Sequence, residues 1–79
     1  MTTDTQTIEQ VVFDSLERFG AEREQISRAA SFEELNIDSL DLAELSQIVE
    51  SEFGVELTSS DVATVKTVGD AVDLVAGRA

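Results

Sequence analysis

From Ile8 onward the apolar residues Ile8, Val11, Val12, Leu16 and Phe19 recur at helical spacing, while Glu9, Gln10, Asp14, Glu17 and Arg18 fill the positions between them. One face is thus suited to a core and the other to water. The pattern predicts a first amphipathic helix from Thr5 to Phe19, opened by a capping box of Thr7 with Gln10 and stopped by Gly20. Residues 21 to 38 lose the period and read as one long connection, pinned by Ile26, Phe32, Leu35 and Ile37, with Phe32 and Leu35 on one short helical turn. Connections of that length are uncommon in compact domains and are often functional.

Helical spacing returns with a second helix from Ser39 to Phe53, which has Asp38 as N-cap, Asp41 in its first turn and Gly54 after its last residue. Beyond Val55 and Leu57, the stretch Thr58-Ser59-Ser60-Asp61 supplies caps for a short third helix containing Val62 and Val65. Thr67 with Asp70 opens a fourth, in which Val68, Ala71, Val72 and Val75 recur until Gly77. Period-two alternation, hairpin signals and repeats are all missing. The expected fold is all-α: a four-helix bundle of three longer helices and a short third, with a long loop between helices one and two. It forms a single domain over residues 1–79, with its core at about 5–76.

The second helix departs from a simple core pattern. At about 100° per residue, Leu42, Leu45, Val49 and Phe53 form one stripe, which must face the core. Leu40, Ala43 and Gln47 lie opposite, in water, bordered by Asp41 and Glu44 on one side and Glu50 on the other. An exposed, partly apolar strip edged by carboxylates suits docking of a basic, partly apolar partner. The plainer alternative is that single exposed apolar residues are ordinary, that acidic residues complement the helix dipole and that the Ser39 hydroxyl is an auxiliary cap.

Composition narrows the chemistry. Hydrophobic residues make up 42% of the chain, with no Trp, no Tyr and four Phe, so the core must be aliphatic. Cysteine and histidine are both absent, which removes disulfides, the best thiol nucleophile, the commonest general base and the commonest metal ligand. An autonomous enzyme is not expected, nor a metal site. Seventeen Asp and Glu against five Lys and Arg give a net charge of −12, a field that repels nucleic acid and anionic membranes and favours basic protein partners. Charge of this size also serves solubility alone, and only its placement separates the two. The first residues carry no basic n-region or signal-length apolar run, and no apolar stretch approaches membrane-spanning length, so a soluble cytoplasmic protein is expected; a monomer is expected as well.

At the head of the second helix, Glu34-Leu35-Asn36-Ile37-Asp38-Ser39-Leu40-Asp41-Leu42-Ala43-Glu44-Leu45 resembles the Asp-Ser-Leu phosphopantetheine attachment motif of acyl carrier proteins. Ser31-Phe32 with Leu35 is similar to that family's anchor upstream of the serine. Glu52-Phe53-Gly54-Val55-Glu56-Leu57 is similar to its turn after helix two, and Thr67-Val68-Gly69-Asp70-Ala71-Val72 to its last helix. The resemblance covers residues 5 to 76. It implies that a phosphopantetheinyl transferase, using magnesium, moves a 4'-phosphopantetheine arm from coenzyme A to the Ser39 hydroxyl. Asp38, matching the family's aspartate before the serine, would help the transferase recognise and orient the site. The arm's thiol, which this cysteine-free chain cannot supply, would hold acyl groups as thioesters.

The resemblance further implies that Leu40, Asp41, Ala43, Glu44, Gln47 and Glu50 meet basic patches on ketosynthases, acyltransferases and reductases. Leu45, Val49, Leu57, Val62, Val65 and Val68 would line a modest, inducible cavity for the acyl chain. Two departures stand out: Gln47 replaces an apolar recognition residue of many fatty-acid carriers, and Thr58 stands where they often have Pro. Together with four Arg against one Lys, they favour polyketide over fatty acid biosynthesis. A peptidyl or aminoacyl carrier is the nearest alternative. An acidic interaction module without a prosthetic group is a second, and it predicts that Ser39→Ala leaves function intact. A calcium sensor is set aside, because the Asp-x-Asp-x-Asp-Gly loop with its terminal Glu is missing.

Overall fold

The computed structural model describes residues 4–79 and contains four α-helices: α1 (Thr5–Arg18), α2 (Ser39–Phe53), α3 (Ser59–Thr64) and α4 (Val68–Arg78). A short 3₁₀ turn, Arg23–Gln25, lies in the α1–α2 connection. No strand forms among the described residues; one isolated antiparallel bridge joins Ser31 to Thr67.

α1 starts at the expected residue but by a different cap. Asp4 is the N-cap, its Oδ1 accepting from the Thr7 N–H at 2.7 Å. Gln10 instead donates to Asp14 one turn on. An Asp carboxylate reaches the orphan first-turn donor more effectively than a Thr–Gln pair placed inside the helix, which explains the correction. At the other end the helix stops at Arg18, with Phe19 as C-cap. The N–H of Gly20 (φ +112°) donates to Glu17 O and that of Ala21 to Leu16 O, the pair of bonds that closes a helix through a left-handed residue.

The long connection is held as expected: Ile26, Phe32, Leu35 and Ile37 are all buried. Phe32 and Leu35 do share one helical turn. Ser31 Oγ accepts from the Glu34 N–H while Glu34 Oε1 accepts from the Ser31 N–H. Asn36, at φ +58°, ends the turn with bonds from its own N–H to Glu33 O and from the Ile37 N–H to Phe32 O. Bonds from Phe32 N–H to Lys66 O and from Val68 N–H to Ala30 O tie the segment to the start of α4.

The core is aliphatic apart from Phe32. Its most deeply buried large side chains are Ile8, Val12 and Leu16 of α1, Val49 of α2, and Val68, Val72 and Val75 of α4. In α2, Leu45 and Val49 are buried while Leu42 and Phe53, at the ends of the expected stripe, are half-buried against the core. Gly69 lets α4 approach the connection closely: its N–H donates to Arg28 O at 2.8 Å, and a Cβ there would lie 2.9 Å from the same oxygen. Gly77 does not end α4, which continues to Arg78. Nothing gives Gly77 a positive φ, and without a left-handed residue a glycine does not by itself terminate a helix.

Candidate functional site

α2 is positioned by its caps. Asp38 is the N-cap, with Oδ1 accepting from the Asp41 N–H at 2.9 Å and its carbonyl accepting from the Leu42 N–H. Gly54, at φ +70°, closes the other end with a bond to Glu50 O. Ser39 is the first helical residue and is exposed. Among the described residues no hydrogen bond engages its Oγ, and the N–H groups of Ser39 and Leu40 find no protein acceptor. The capping is therefore done by Asp38, and the Ser39 hydroxyl is left free beside the positive end of the helix dipole.

Along α2, Leu40 is 79% exposed, the one large hydrophobic residue so exposed among those described. Ala43, Glu44, Gln47 and Glu50 are exposed beside it and Asp41 is half-buried. The helix has no Lys or Arg. The ion pairs of the fold lie elsewhere: Arg23 with Asp14 and Glu17, Arg28 with Glu9 and Asp73, Arg78 with Asp61. Among the described residues no ion pair engages the carboxylates of α2, so their field is available to a partner.

A groove of about 440 Å³ runs from Ser39 between α2 and the start of α3, lined by Ser39, Ala43, Ser46, Gln47, Glu50, Leu57, Thr58, Ser59 and Val62. Beneath it lies an apolar cavity of about 20 Å³, large enough for about one water-sized body. Leu45, Val49, Leu57, Val62 and Val65 all line it. Val68 does not. It sits at the first turn of α4, fully buried, where its N–H is tied to Ala30 in the α1–α2 connection. The fourth helix instead contributes Ala71, Leu74 and Val75, and Val12, Phe32, Leu42 and Ser46 complete the wall. Sequence periodicity marks Ala71 and Val75 as core but leaves out Leu74. Ser46 Oγ donates to Leu42 O at 3.0 Å, so the polar atom in the wall is satisfied. Groove and cavity share Ser46, Leu57 and Val62.

Two further features bear on the surroundings. Among the described residues no helix is long and apolar enough to cross a membrane, and no cluster of three or more His, Cys, Asp or Glu is arranged to hold a metal ion. The family model describing the phosphopantetheine attachment site matches residues 6–75. The acyl carrier proteins of two strains of Nitratidesulfovibrio vulgaris, DP4 and Hildenborough, are each 39% identical to this chain over 72 residues, covering 90% of it and 91% of the relative. An acidic helix headed by a capped Asp-Ser-Leu, a bundle that frames it and a match along nearly the whole chain lead to one assignment: the chain belongs to the acyl carrier proteins, carriers rather than enzymes, of the phosphopantetheine attachment-site family.

Proposed function

We propose that Ser39 bears the 4'-phosphopantetheine arm and that the chain carries acyl intermediates of polyketide biosynthesis in the cytoplasm. The observation that carries the assignment of the site is the free, exposed Ser39 hydroxyl at the first position of α2, capped independently by Asp38 and opening onto the groove between α2 and α3. A phosphodiester fits there: the Ser39 oxygen would bond to the pantetheine-side phosphorus of coenzyme A as that phosphorus's bond to the bridging diphosphate oxygen breaks, the nucleotide half leaving as adenosine 3',5'-bisphosphate and the hydroxyl proton passing to solvent. The unsatisfied N–H groups of the first turn favour the resulting negative charge. When bound, the arm supplies the thiol that holds the acyl group.

The chain's own residues then do three things. Asp38 fixes the start of α2 and so the direction in which the Ser39 oxygen points. Leu40, Asp41, Ala43, Glu44, Gln47 and Glu50 present an apolar strip edged by uncompensated carboxylates to the phosphopantetheinyl transferase and to ketosynthases, acyltransferases or reductases with basic docking patches. Electrostatic steering of this kind gives fast, transient association, which suits a carrier that serves several enzymes in turn. Leu45, Val49, Leu57, Val62 and Val65 offer an apolar wall to a short acyl chain.

The polyketide reading is supported by Gln47, a polar residue on the exposed strip, and by Thr58, which caps α3. Fatty acid synthesis is the competing pathway, favoured by a cavity wall that is apolar apart from Ser46. Intact mass after incubation of the unmodified protein with coenzyme A, magnesium and a broad-specificity phosphopantetheinyl transferase tests the site. Gain of one phosphopantetheine by the wild type and none by Ser39→Ala is expected; gain by both would place the arm elsewhere. Transfer of malonyl cargo to a polyketide ketosynthase in preference to a fatty acid ketosynthase tests the pathway.

A further inference from the structure

α3 is the least anchored of the helices. It has six residues and no buried side chain, and a helix of that length is not stable alone. Its apolar hold consists of Val62, with the adjoining Val65, both half-buried on the cavity. A capping box of Thr58 with Asp61 closes its first turn from within.

Across to another helix, α3 is tied by one side chain. Arg78, in the last turn of α4, places Nη1 2.6 Å from Asp61 Oδ2 and Nη2 2.6 Å from Asp61 Oδ1, and Nη1 also reaches Glu56 O at 3.4 Å. Asp61 Oδ2 simultaneously accepts from the N–H and the Oγ1 of Thr58. The Asp61 side chain is 18% exposed and that of Arg78 40%, so the pair is sheltered on the carboxylate side. The planar fork of a guanidinium matches both carboxylate oxygens at once, which an ammonium cannot do. Among the described residues no other side-chain hydrogen bond joins α3 to another helix.

We propose that the Arg78–Asp61 pair is a latch that holds α3 closed over the apolar cavity, and that its release opens the cavity and the groove together. The coupling follows from the shared wall: Val62 of α3 borders both spaces, so an outward swing of α3 widens both. The cavity at about 20 Å³ is too small for more than a few atoms of cargo. α3 is the element that can yield, because it buries the least. The use of this opening by acyl cargo rests on the assignment of the arm to Ser39; the latch is a property of the unmodified chain.

The test is amide hydrogen exchange on the unmodified protein at low ionic strength, comparing wild type, Arg78→Gln and Arg78→Lys, with fluorescence of the neutral apolar dye Nile red as a second readout. In Arg78→Gln, exchange across residues 61–65 is expected to rise about two- to fivefold, the range open to a partly exposed ion pair. Exchange at Val12 and Leu16 should be unchanged and dye fluorescence should increase. Arg78→Lys should fall between the two. Unchanged exchange in α3, or an equal rise in α1 and α3, would overturn the latch. Arm uptake by Ser39 is read separately by intact mass, so failure of that assignment leaves the exchange result standing.

Discussion

Val49 couples the stability of the bundle to the cavity, and Val49→Ala exposes that coupling. The side chain is 1% exposed and lines the apolar cavity. Truncation removes two buried carbon groups at about 0.8 kcal/mol each, and the void left behind adds to the loss, giving about 2–3 kcal/mol in all. For a chain of 79 residues the total stability is roughly 4–12 kcal/mol, so the variant should remain folded. At about 4–8 °C per kcal/mol for a domain of this size, its melting temperature should fall by about 8–24 °C. Circular dichroism melts of the unmodified protein measure this directly. The same melts on octanoyl-loaded protein should show a larger gain from loading in Val49→Ala than in wild type, because the added chain refills the enlarged space. A fall of less than about 2 °C would refute the burial argument. Equal gains from loading in both proteins would refute the cavity as the chain's resting place.

Asp38→Ala removes the side chain that caps α2 and should cost about 1 kcal/mol in urea titrations, whereas Asp38→Asn should lose little stability. Two glycines of α4 should respond with opposite signs. Gly77→Ala, with nothing near its Cβ position, should stabilise by about 0.5–1 kcal/mol, the ordinary gain in a helix. Gly69→Ala, whose Cβ would lie 2.9 Å from Arg28 O, should destabilise, as paired thermal melts would show. Acid should weaken the fold through Asp61, whose carboxyl is held well below its ordinary value of 3.8, first by the Arg78 guanidinium and then by the Thr58 N–H. Because the folded value is depressed, the stabilisation is present above the unfolded value and is lost as pH falls through the folded one. The advantage of wild type over Asp61→Asn in urea midpoints at constant ionic strength should therefore hold at pH 7 and shrink below about pH 4. An advantage that grows on acidification would contradict the assigned sign.

Much of the site is legible in local pattern because helix α2 is specified by local chemistry. Asp38, Asp41 and Gly54 mark its ends, and a period near 3.6 puts Leu45 and Val49 on one face and Leu40, Ala43 and Gln47 on the other. The same holds for the Thr58–Asp61 and Thr67–Asp70 boxes. Where local reading failed, two local solutions competed. Asp4 and Thr7 both offered an oxygen near the start of α1, and the carboxylate took the cap. Gly77 looked like a stop, but a terminus also requires a left-handed backbone, which three-dimensional context did not impose.

What the amino-acid sequence determined by itself is therefore the helices, the caps of α2, α3 and α4 at their starts, the acidic face of α2 and the placing of Ser39 at its head, since each depends on residues within a turn or two of one another. What only the tertiary structure decided is the space around that serine. Val12, Phe32 and Leu74 come from separate elements to line one cavity, while Val68, fully buried, is not among its lining residues. Gly69 comes close enough to donate its N–H to Arg28 O at 2.8 Å, and Arg78 reaches Asp61 across 17 residues of chain. Contacts of this kind arise when packed helices fix their relative position, and no periodicity or spacing along a single strand of residues encodes the distance between two faces that meet only after folding.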